Sequence, residues 1–198
     1  MCETKNFYLW LLQIIGLLGL LALCLWLALR PQDPTVTVID LSVPPIDNSS
    51  SPAAVGNQNG SLTYNLEIKN PNKDSVILFD DIFLTFLYGQ DKAATDRISS
   101  FKSGKGSTIY RVNHLAIDGR VWKAIRKALS NEISELKVRF ATGIRFRTIG
   151  IKSKHHRSHI LEGKVMLGKN GKISGKKKKI KLKRSSKKWR IKLRPNFN

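Results

Sequence analysis

The chain has 198 residues, 41% of them hydrophobic, and a formal net charge of +21. That size and apolar content exclude a wholly disordered polypeptide and fit one domain with attachments. Its two cysteines, Cys2 and Cys24, both lie near the N-terminus, which excludes a disulfide-stapled fold and a cysteine zinc site in the body of the protein. The charge is uneven. Residues 31–144 hold 13 basic and 12 acidic residues, whereas residues 145–198 hold 20 basic residues and a single acid, Glu162. The body is near neutral, so the question of a charged partner concerns the last quarter.

The first element in chain order is an apolar run. Phe7 to Leu29 has no charged residue, and Gln13 is its one strongly polar side chain. At about 1.5 Å per residue a helix over this run spans about 35 Å, enough for a hydrocarbon core of about 30 Å. Inside lipid the backbone must satisfy its own hydrogen bonds, which a single pass does only as a helix. Tyr8, Trp10 and Trp26 stand near its two ends, where interface aromatics belong. The run exceeds the roughly 7–15 residues of a signal-peptide core, and no small-x-small site precedes Arg30, so it is expected to stay as an anchor. Lys5 and Arg30 nearly cancel under the positive-inside rule. A very short N-terminus ahead of an anchor favours placing that end in the cytosol, which makes Cys2 a juxtamembrane palmitoylation candidate.

Pro31 and Pro34 end the helix. Thr35 to Val43 alternates and is β-branched, which predicts a strand closed by Pro44-Pro45. Residues 46–60 are rich in Asn, Ser and Gly and predict a flexible loop. It holds two sequons, at Asn48 and Asn59, which are glycosylation candidates if this side is luminal. Ser61 to Lys69 is a second alternating strand, followed by the turn Asn70-Pro71-Asn72-Lys73-Asp74. Ser75 to Tyr88 is apolar on both faces and broken by Asp80-Asp81, which predicts two short strands or one bulged strand. Gly89 to Thr95 is expected as a turn, Arg97 to Phe101 as a short extended piece, and Ser107 to Ile117 as a strand. Asp118 caps a predicted helix over Arg120–Leu129, whose apolar residues fall at helical spacing. Leu136 to Ile151 and Ser158 to Leu167 are further strands, and Lys169-Asn170-Gly171-Lys172 predicts a hairpin with a type I′ turn. Seven or eight short strands, frequent turns and one small helix give a mostly β protein, an antiparallel β-sandwich of immunoglobulin or fibronectin type behind one transmembrane helix. The domain plan is 1–6 cytosolic, 7–29 transmembrane, 30–60 first strand and loop, 61–174 sandwich and 175–198 basic tail.

Several of these segments resemble a known family. They are Arg30-Pro31-x-x-Pro34-Thr35, Tyr64-Asn65-Leu66-x-Ile68-x-Asn70-Pro71-Asn72-Lys73, Phe79-Asp80, Leu136-x-Val138-x-Phe140, Arg145-x-Arg147 and Lys152–Arg157. Together they are similar to the plant late-embryogenesis-abundant type 2 domain in its membrane-anchored form, the non-race-specific disease resistance and harpin-induced-like family, from the anchor to about residue 174. Two features depart from that pattern. Leu78-Phe79 stand where the family often has a tyrosine pair, and a basic tail continues to Asn198. The resemblance implies a sandwich at the plasma membrane, a role in plant defence and stress responses, other defence-related membrane proteins as partners, and no enzymatic activity or cofactor.

The residues that could carry chemistry are few. Pro71 fixes its own φ and the flanking Asn70 and Asn72 side chains bond to nearby backbone, so the motif is first a rigid turn and only secondarily a contact loop. His155-His156-x-x-His159 lacks the converging donors zinc requires and is expected as a basic surface that gains charge in a mildly acidic compartment. Asp80-Asp81 lacks the spaced oxygens a calcium site needs and is expected as a bulge or turn. No nucleophile motif or glycine-rich phosphate loop is present.

The tail is the informative part. Lys176, Lys177, Lys178, Lys179, Lys181, Lys183 and Arg184 precede Ser185-Ser186, and Lys187, Lys188, Trp189, Arg190, Lys192 and Arg194 follow. Ile180 and Leu182 alternate with lysines, as do Trp189, Ile191 and Leu193, which predicts an extended, amphipathic, cationic hairpin. The expected ligand is a polyanion. If the tail is extracellular, an acidic wall polysaccharide or an anionic membrane or microbial surface fits. If it faces the cytosol, the fit is to anionic inner-leaflet lipids. Nucleic acid is disfavoured because aromatics for base stacking are sparse.

Overall fold

Leu62, Tyr64, Leu66 and Ile68 alternate along one strand and are all buried, while Thr63, Asn65 and Glu67 between them are not. That period of two builds the fold. The computed structural model describes residues 3–28, 30–44, 60–130, 133–148, 151–152, 157–174 and 179–185. It falls into two units, residues 1–32 and 33–198.

The first unit is a single helix, α1 (Glu3–Ala28). Its stretch Phe7–Leu27 has a mean hydropathy of 2.3 and is long and apolar enough to cross a membrane. Its large apolar side chains, from Phe7 to Trp26, are exposed. An apolar surface of that extent needs a lipid or protein partner to cover it.

The second unit is built of β1 (Thr35–Ser42), β2 (Ser61–Lys69), β3 (Ser75–Phe79), β4 (Ile82–Tyr88), β5 (Asp91–Ile98), β6 (Phe101–Ser103), β7 (Thr108–Ala116), α2 (Gly119–Ser130), β8 (Ile133–Thr148), β9 (Ile151–Lys152), β10 (Arg157–Gly168), β11 (Ile180–Lys181) and β12 (Lys183–Arg184). One sheet runs β11-β1-β2-β7. The other runs β12-β10-β8-β3-β6, with β4 paired to β8 and β5, and β9 paired to β8. The pairings are antiparallel, and the inner faces of the two sheets share one apolar core that includes Leu66, Leu84, Phe86, Val138, Phe140 and Val165. This is the expected antiparallel sandwich. The helix α2 joins the core through Val121, Trp122, Ile125 and Leu129. Asp118 caps it, Oδ1 accepting from the Arg120 N–H at 3.0 Å and the Val121 N–H at 3.4 Å.

Three details differ from the sequence-based expectation. Only Gly89 and Gln90 turn, and Asp91–Ile98 is a strand. Its composition is turn-like because β5 is an edge strand that buries only the small Ala93 and Ala94. The hairpin expected at Lys169–Lys172 closes with the Gly171 N–H on the Gly168 carbonyl at 2.8 Å, and Gly171 itself is left-handed at φ 70°. That is a turn over Lys169-Asn170 followed by a glycine bulge, rather than a two-residue type I′ turn over Asn170-Gly171. A Cβ on Gly171 would lie 2.3 Å from the Val43 carbonyl oxygen, so a side chain there meets both strain and a clash.

The third detail concerns the C-terminal part. The strand pairings carry the sandwich past residue 174. Lys181 stands opposite Thr37 in β1, and Lys183 stands opposite Glu162 in β10. The Leu182 N–H donates to the Val36 carbonyl at 2.9 Å, and the Ser185 N–H to the Ile160 carbonyl at 3.0 Å. Residues 180–185 therefore step from the edge of one sheet to the edge of the other and close the seam between them. Leu182 is buried at that seam over Gly163, whose Cα has no room for a side chain, since an added Cβ would lie 2.5 Å from Leu182 Cδ2.

Leu182→Ala is expected to lower unfolding stability by about 3 kcal/mol in a urea titration, as buried leucine truncations do. A chain ending after Ser185 is expected to keep the wild-type midpoint, and one ending after Ser174 to lose more than Leu182→Ala does.

Candidate functional site

The Asn-Pro-Asn motif lies between β2 and β3, and its first carboxamide is fully buried. Asn70 Nδ2 donates to the carbonyls of Ser75 at 2.9 Å and Gly104 at 2.7 Å. Asn70 Oδ1 accepts from the Asn72 N–H at 3.0 Å and from Asn72 Nδ2 at 2.9 Å. The Asn70 N–H donates to the Ser107 carbonyl at 2.9 Å, and the Asn72 carbonyl accepts from the Gly106 N–H at 2.8 Å. One side chain thus ties the β2–β3 turn to the β6–β7 turn and satisfies backbone groups in both. Buried and saturated, Asn70 presents nothing to a partner.

The Asp80-Asp81 pair breaks β3 from β4. The Asp80 N–H donates to the Gly143 carbonyl at 2.9 Å, Arg145 Nη2 donates to Asp80 Oδ1 at 3.2 Å, and Arg97 pairs with Asp81. Hydrogen bonds from Arg97 and the Ser100 N–H hold the Asp81 carboxyl below its usual range. Both acids already serve guanidinium groups of the sandwich. Among the described residues no group of three or more His, Cys, Asp or Glu side chains is placed to hold a metal ion.

The basic segment enters the described structure at Lys179, Lys181, Lys183 and Arg184, and all four are exposed. Lys176, Lys177, Lys178, Lys187, Lys188, Trp189, Arg190, Lys192 and Arg194 lie outside the described residues, as do Cys2, the two sequon residues Asn48 and Asn59, and His155 and His156. The alternation along 180–184 has the expected sense: Leu182 turns inward and the lysines on either side turn outward. Lys183 stands opposite Glu162 in the β10–β12 register, and Glu162 pairs with Lys137 at 3.2 Å and Arg139 at 2.8 Å. Burial pushes the Glu162 carboxyl up, but hydrogen bonds from Arg139 and Lys137 outweigh it and hold the group below the usual range. Glu135 pairs with Lys164 at 2.8 Å. These acids are all engaged by the sandwich's own cations.

His159 departs from the surface role expected of it. It is buried at 3% exposure beneath the 180–185 seam. Loss of hydration lowers its pKa, and the Arg184 charge adds to this, against the opposing effects of Asp33 and a hydrogen bond to the Pro34 carbonyl. Its Nε2 has no hydrogen-bond partner, so a proton there would be held without compensation. Three features of this seam escape sequence reasoning: buried His159, the acid Glu162 under Lys183, and the missing side chain at Gly163. Only the Ile180/Leu182 alternation signalled it.

No family model matches the chain. Against curated proteins it is 27% identical over 150 residues to NDR1/HIN1-like protein 3 of Arabidopsis thaliana, covering 72% of this chain and 63% of that protein. It is 32% identical over 75 residues to Protein NDR1 of the same plant, covering 38% of this chain and 32% of that protein. The chain is thus similar to NDR1/HIN1-like proteins. It spans less than two thirds of the length of either relative. Among solved structures, an Arabidopsis thaliana protein determined in solution superposes with a TM-score of 0.43 at 12% identity, over 70% of this chain and 84% of that one. A crystal structure of an Archaeoglobus fulgidus protein gives 0.31 at 12% identity, over 68% and 95%. Neither likeness is close enough to bear on function. In this chain the Asn-Pro-Asn turn is a buried tie between loops, and the described basic residues Lys179, Lys181, Lys183 and Arg184 are exposed beside the buried Leu182.

Asn70→Ala is expected to cost about 3 kcal/mol or more, because it orphans buried carbonyls on two loops; a thermal melt measures it. A histidine whose folded pKa lies below its unfolded value of about 6.5 stabilises above that pH and loses the contribution as pH falls. The melting temperature is therefore expected to drop between pH 7 and pH 5, with a shallower drop in His159→Gln.

Proposed function

We infer that the protein is a non-enzymatic, single-pass membrane protein of plant defence and stress responses, with its sandwich outside the plasma membrane and a basic C-terminal end that binds a polyanion. The observation that carries this reading is the similarity to NDR1/HIN1-like proteins in a chain that also has an apolar helix of membrane-spanning length at Phe7–Leu27. The late-embryogenesis-abundant type 2 assignment belongs to the same reading. So does glycosylation at Asn48 and Asn59, which an extracellular loop would allow.

The polyanion is an acidic wall polysaccharide or an anionic lipid surface. Support comes from charge. The sandwich acids near the basic end are paired within the fold, and the cations of residues 179–184 stand exposed at a seam from which the rest of the basic run continues. The interaction is electrostatic, so its affinity falls steeply as salt shortens the Debye length.

Topology is the first test. Treatment of the full-length protein with an N-glycosidase is expected to shift its gel mobility, and Asn48→Gln with Asn59→Gln to abolish the shift. Absence of a shift, together with a C-terminus that protease digests in sealed microsomes, would place the sandwich in the cytosol and make inner-leaflet lipid the ligand. For the basic end, the informative truncation stops after Ser185 and leaves the seam intact. It is expected to weaken salt-sensitive binding to polygalacturonate or anionic vesicles by at least tenfold. Unchanged binding by a folded truncated chain would remove the polyanion role from the tail.

A further inference from the structure

We propose that the end of the sandwich where β1 begins, together with residues 186–198, binds the anionic headgroups of the same bilayer that holds the apolar helix. This rests on the reading of Phe7–Leu27 as an anchor, and it names the polyanion for the basic end. The observation behind it is where that end leaves the fold. β11 runs antiparallel to β1, with Ile180 opposite Val38 and Lys181 opposite Thr37, and the Leu182 N–H reaches the Val36 carbonyl. Each residue from Ile180 on therefore steps back toward the start of β1. By Ser185 the chain has returned to its point of entry: the Ser185 N–H donates to the Ile160 carbonyl, and the adjacent His159 bonds to the Pro34 carbonyl. Arg30 and Pro34 are four residues apart, at most about 14 Å of extended chain. However the sandwich is oriented on that tether, the basic run starts within short reach of the leaflet surface. The thirteen residues past Ser185 add a reach of up to about 45 Å.

Charge and side-chain chemistry choose the occupant. The same end gathers the exposed Lys69, Lys73, Lys105, Arg147, Arg157 and Arg184 against the exposed acids Asp33 and Asp74. Register brings them together. Thr35 stands opposite Lys69, Lys69 opposite Thr108 and Ser75 opposite Thr148, and the turns carrying Lys73 and Lys105 are tied by the Gly106 N–H on the Asn72 carbonyl. Residues 186–198 add five basic residues and no acid. The other end of the sandwich, where Ser61 stands opposite Ala116 and α2 follows, also presents Arg120, Lys123 and Lys127 to solvent. Charge alone therefore does not single out one end; the four-residue tether does. Trp189, Ile191 and Leu193 then separate the two kinds of polyanion. A polyuronate matches the charge but offers these side chains no apolar phase, whereas a bilayer interface takes basic and apolar residues together. Headgroups beside the anchor are also met at an effective concentration on the order of millimolar, an advantage that a separate polymer does not share.

The test uses full-length protein in lipid nanodiscs, one copy per disc, so that only its own bilayer is within reach. In a Cys2→Ser, Cys24→Ser background, Ser186→Cys or Lys123→Cys carries a fluorophore, and a quencher is attached to the lipid headgroups. Quenching at position 186 is expected to be at least threefold stronger in discs containing phosphatidylserine than in discs of phosphatidylcholine alone. High salt is expected to bring it down to the phosphatidylcholine level. Quenching at position 123, on α2, is expected to be the same in both discs, and Lys187→Glu with Lys188→Glu to remove most of the difference at 186. Equal quenching at 186 in the two discs would mean an end that is tethered but unbound, and would overturn the proposal. So would an equal rise at 123, which would mean that neither end is preferred. Loss of the phosphatidylserine-dependent quenching on adding polygalacturonate at equal charge would make the polymer the ligand, and would overturn it too. These results bear on this proposal alone when alkaline carbonate leaves the full-length protein in membranes; a chain that carbonate extracts would remove the anchor reading as well.

Discussion

The strand β8, sixteen residues long, sets the terms for everything packed on it. Sheets twist, and one neighbour cannot follow so long a strand without strain or interruption. On one side β10 follows it for twelve positions, from Ile133 opposite Gly168 to Ile144 opposite Arg157. On the other side the neighbour is divided. β4 covers Leu136 to Ala141 and β3 covers Ile144 to Thr148. The division falls at Asp80-Asp81, opposite Gly143, where an added Cβ would lie 2.3 Å from Asp80 Oδ2. The missing side chain on β8 admits the carboxylate, and Arg145 two positions along neutralises it. A charge in a strand interior is costly unless paired; here the pairing makes the break possible. Because β8 has buried residues at every even position from Ser134 to Phe146, it also fixes which face of β3, β4 and β10 points inward.

Legibility in the sequence tracked how far each element depends on its own residues. The period of two in Leu62, Tyr64, Leu66 and Ile68 located β2 to the residue, and Asp118 with the helical spacing of Val121, Trp122, Ile125 and Leu129 located α2 to within one residue at each end. Elements held by neighbours were harder. β5 carries Asp, Lys, Thr and Arg because it lines an edge, and its place in a sheet comes from pairing with β4. Residues 180–184 sit in lysine-rich sequence whose composition signals solvent. Two short pairings and one buried leucine override that signal, and the vacancy that receives the leucine is at Gly163, seventeen or more positions away in sequence. Likewise Asn70 reads locally as a turn former, and its bonds to Asn72 and Ser75 are local, but those to the Gly104 and Ser107 carbonyls go to a turn that only the folded chain brings near.

The distribution of charge divides the protein into a part that is internally balanced and a part that is not. Arg97 with Asp81, Arg145 with Asp80, Lys137 and Arg139 with Glu162, and Lys164 with Glu135 form pairs across the outer surface of the second sheet. The exposed pairs among them, Arg97 with Asp81 and Lys164 with Glu135, add little stability each; all of them engage acids that could otherwise pair with the basic end. With one acid in its last 54 residues, and that one held by two cations, the C-terminal region keeps its field directed outward.

The seam formed by residues 180–185 also has a mechanical meaning. β11 lies on β1, and β1 begins only five residues after Arg30, at the point where the chain leaves the apolar helix. Tension applied at the C-terminus enters through Ser185 and the two short pairings and leaves through β1 toward that helix. The ties such a pull meets first are two pairings of two residues each and the buried Leu182, far shorter than the ladders between the other strands.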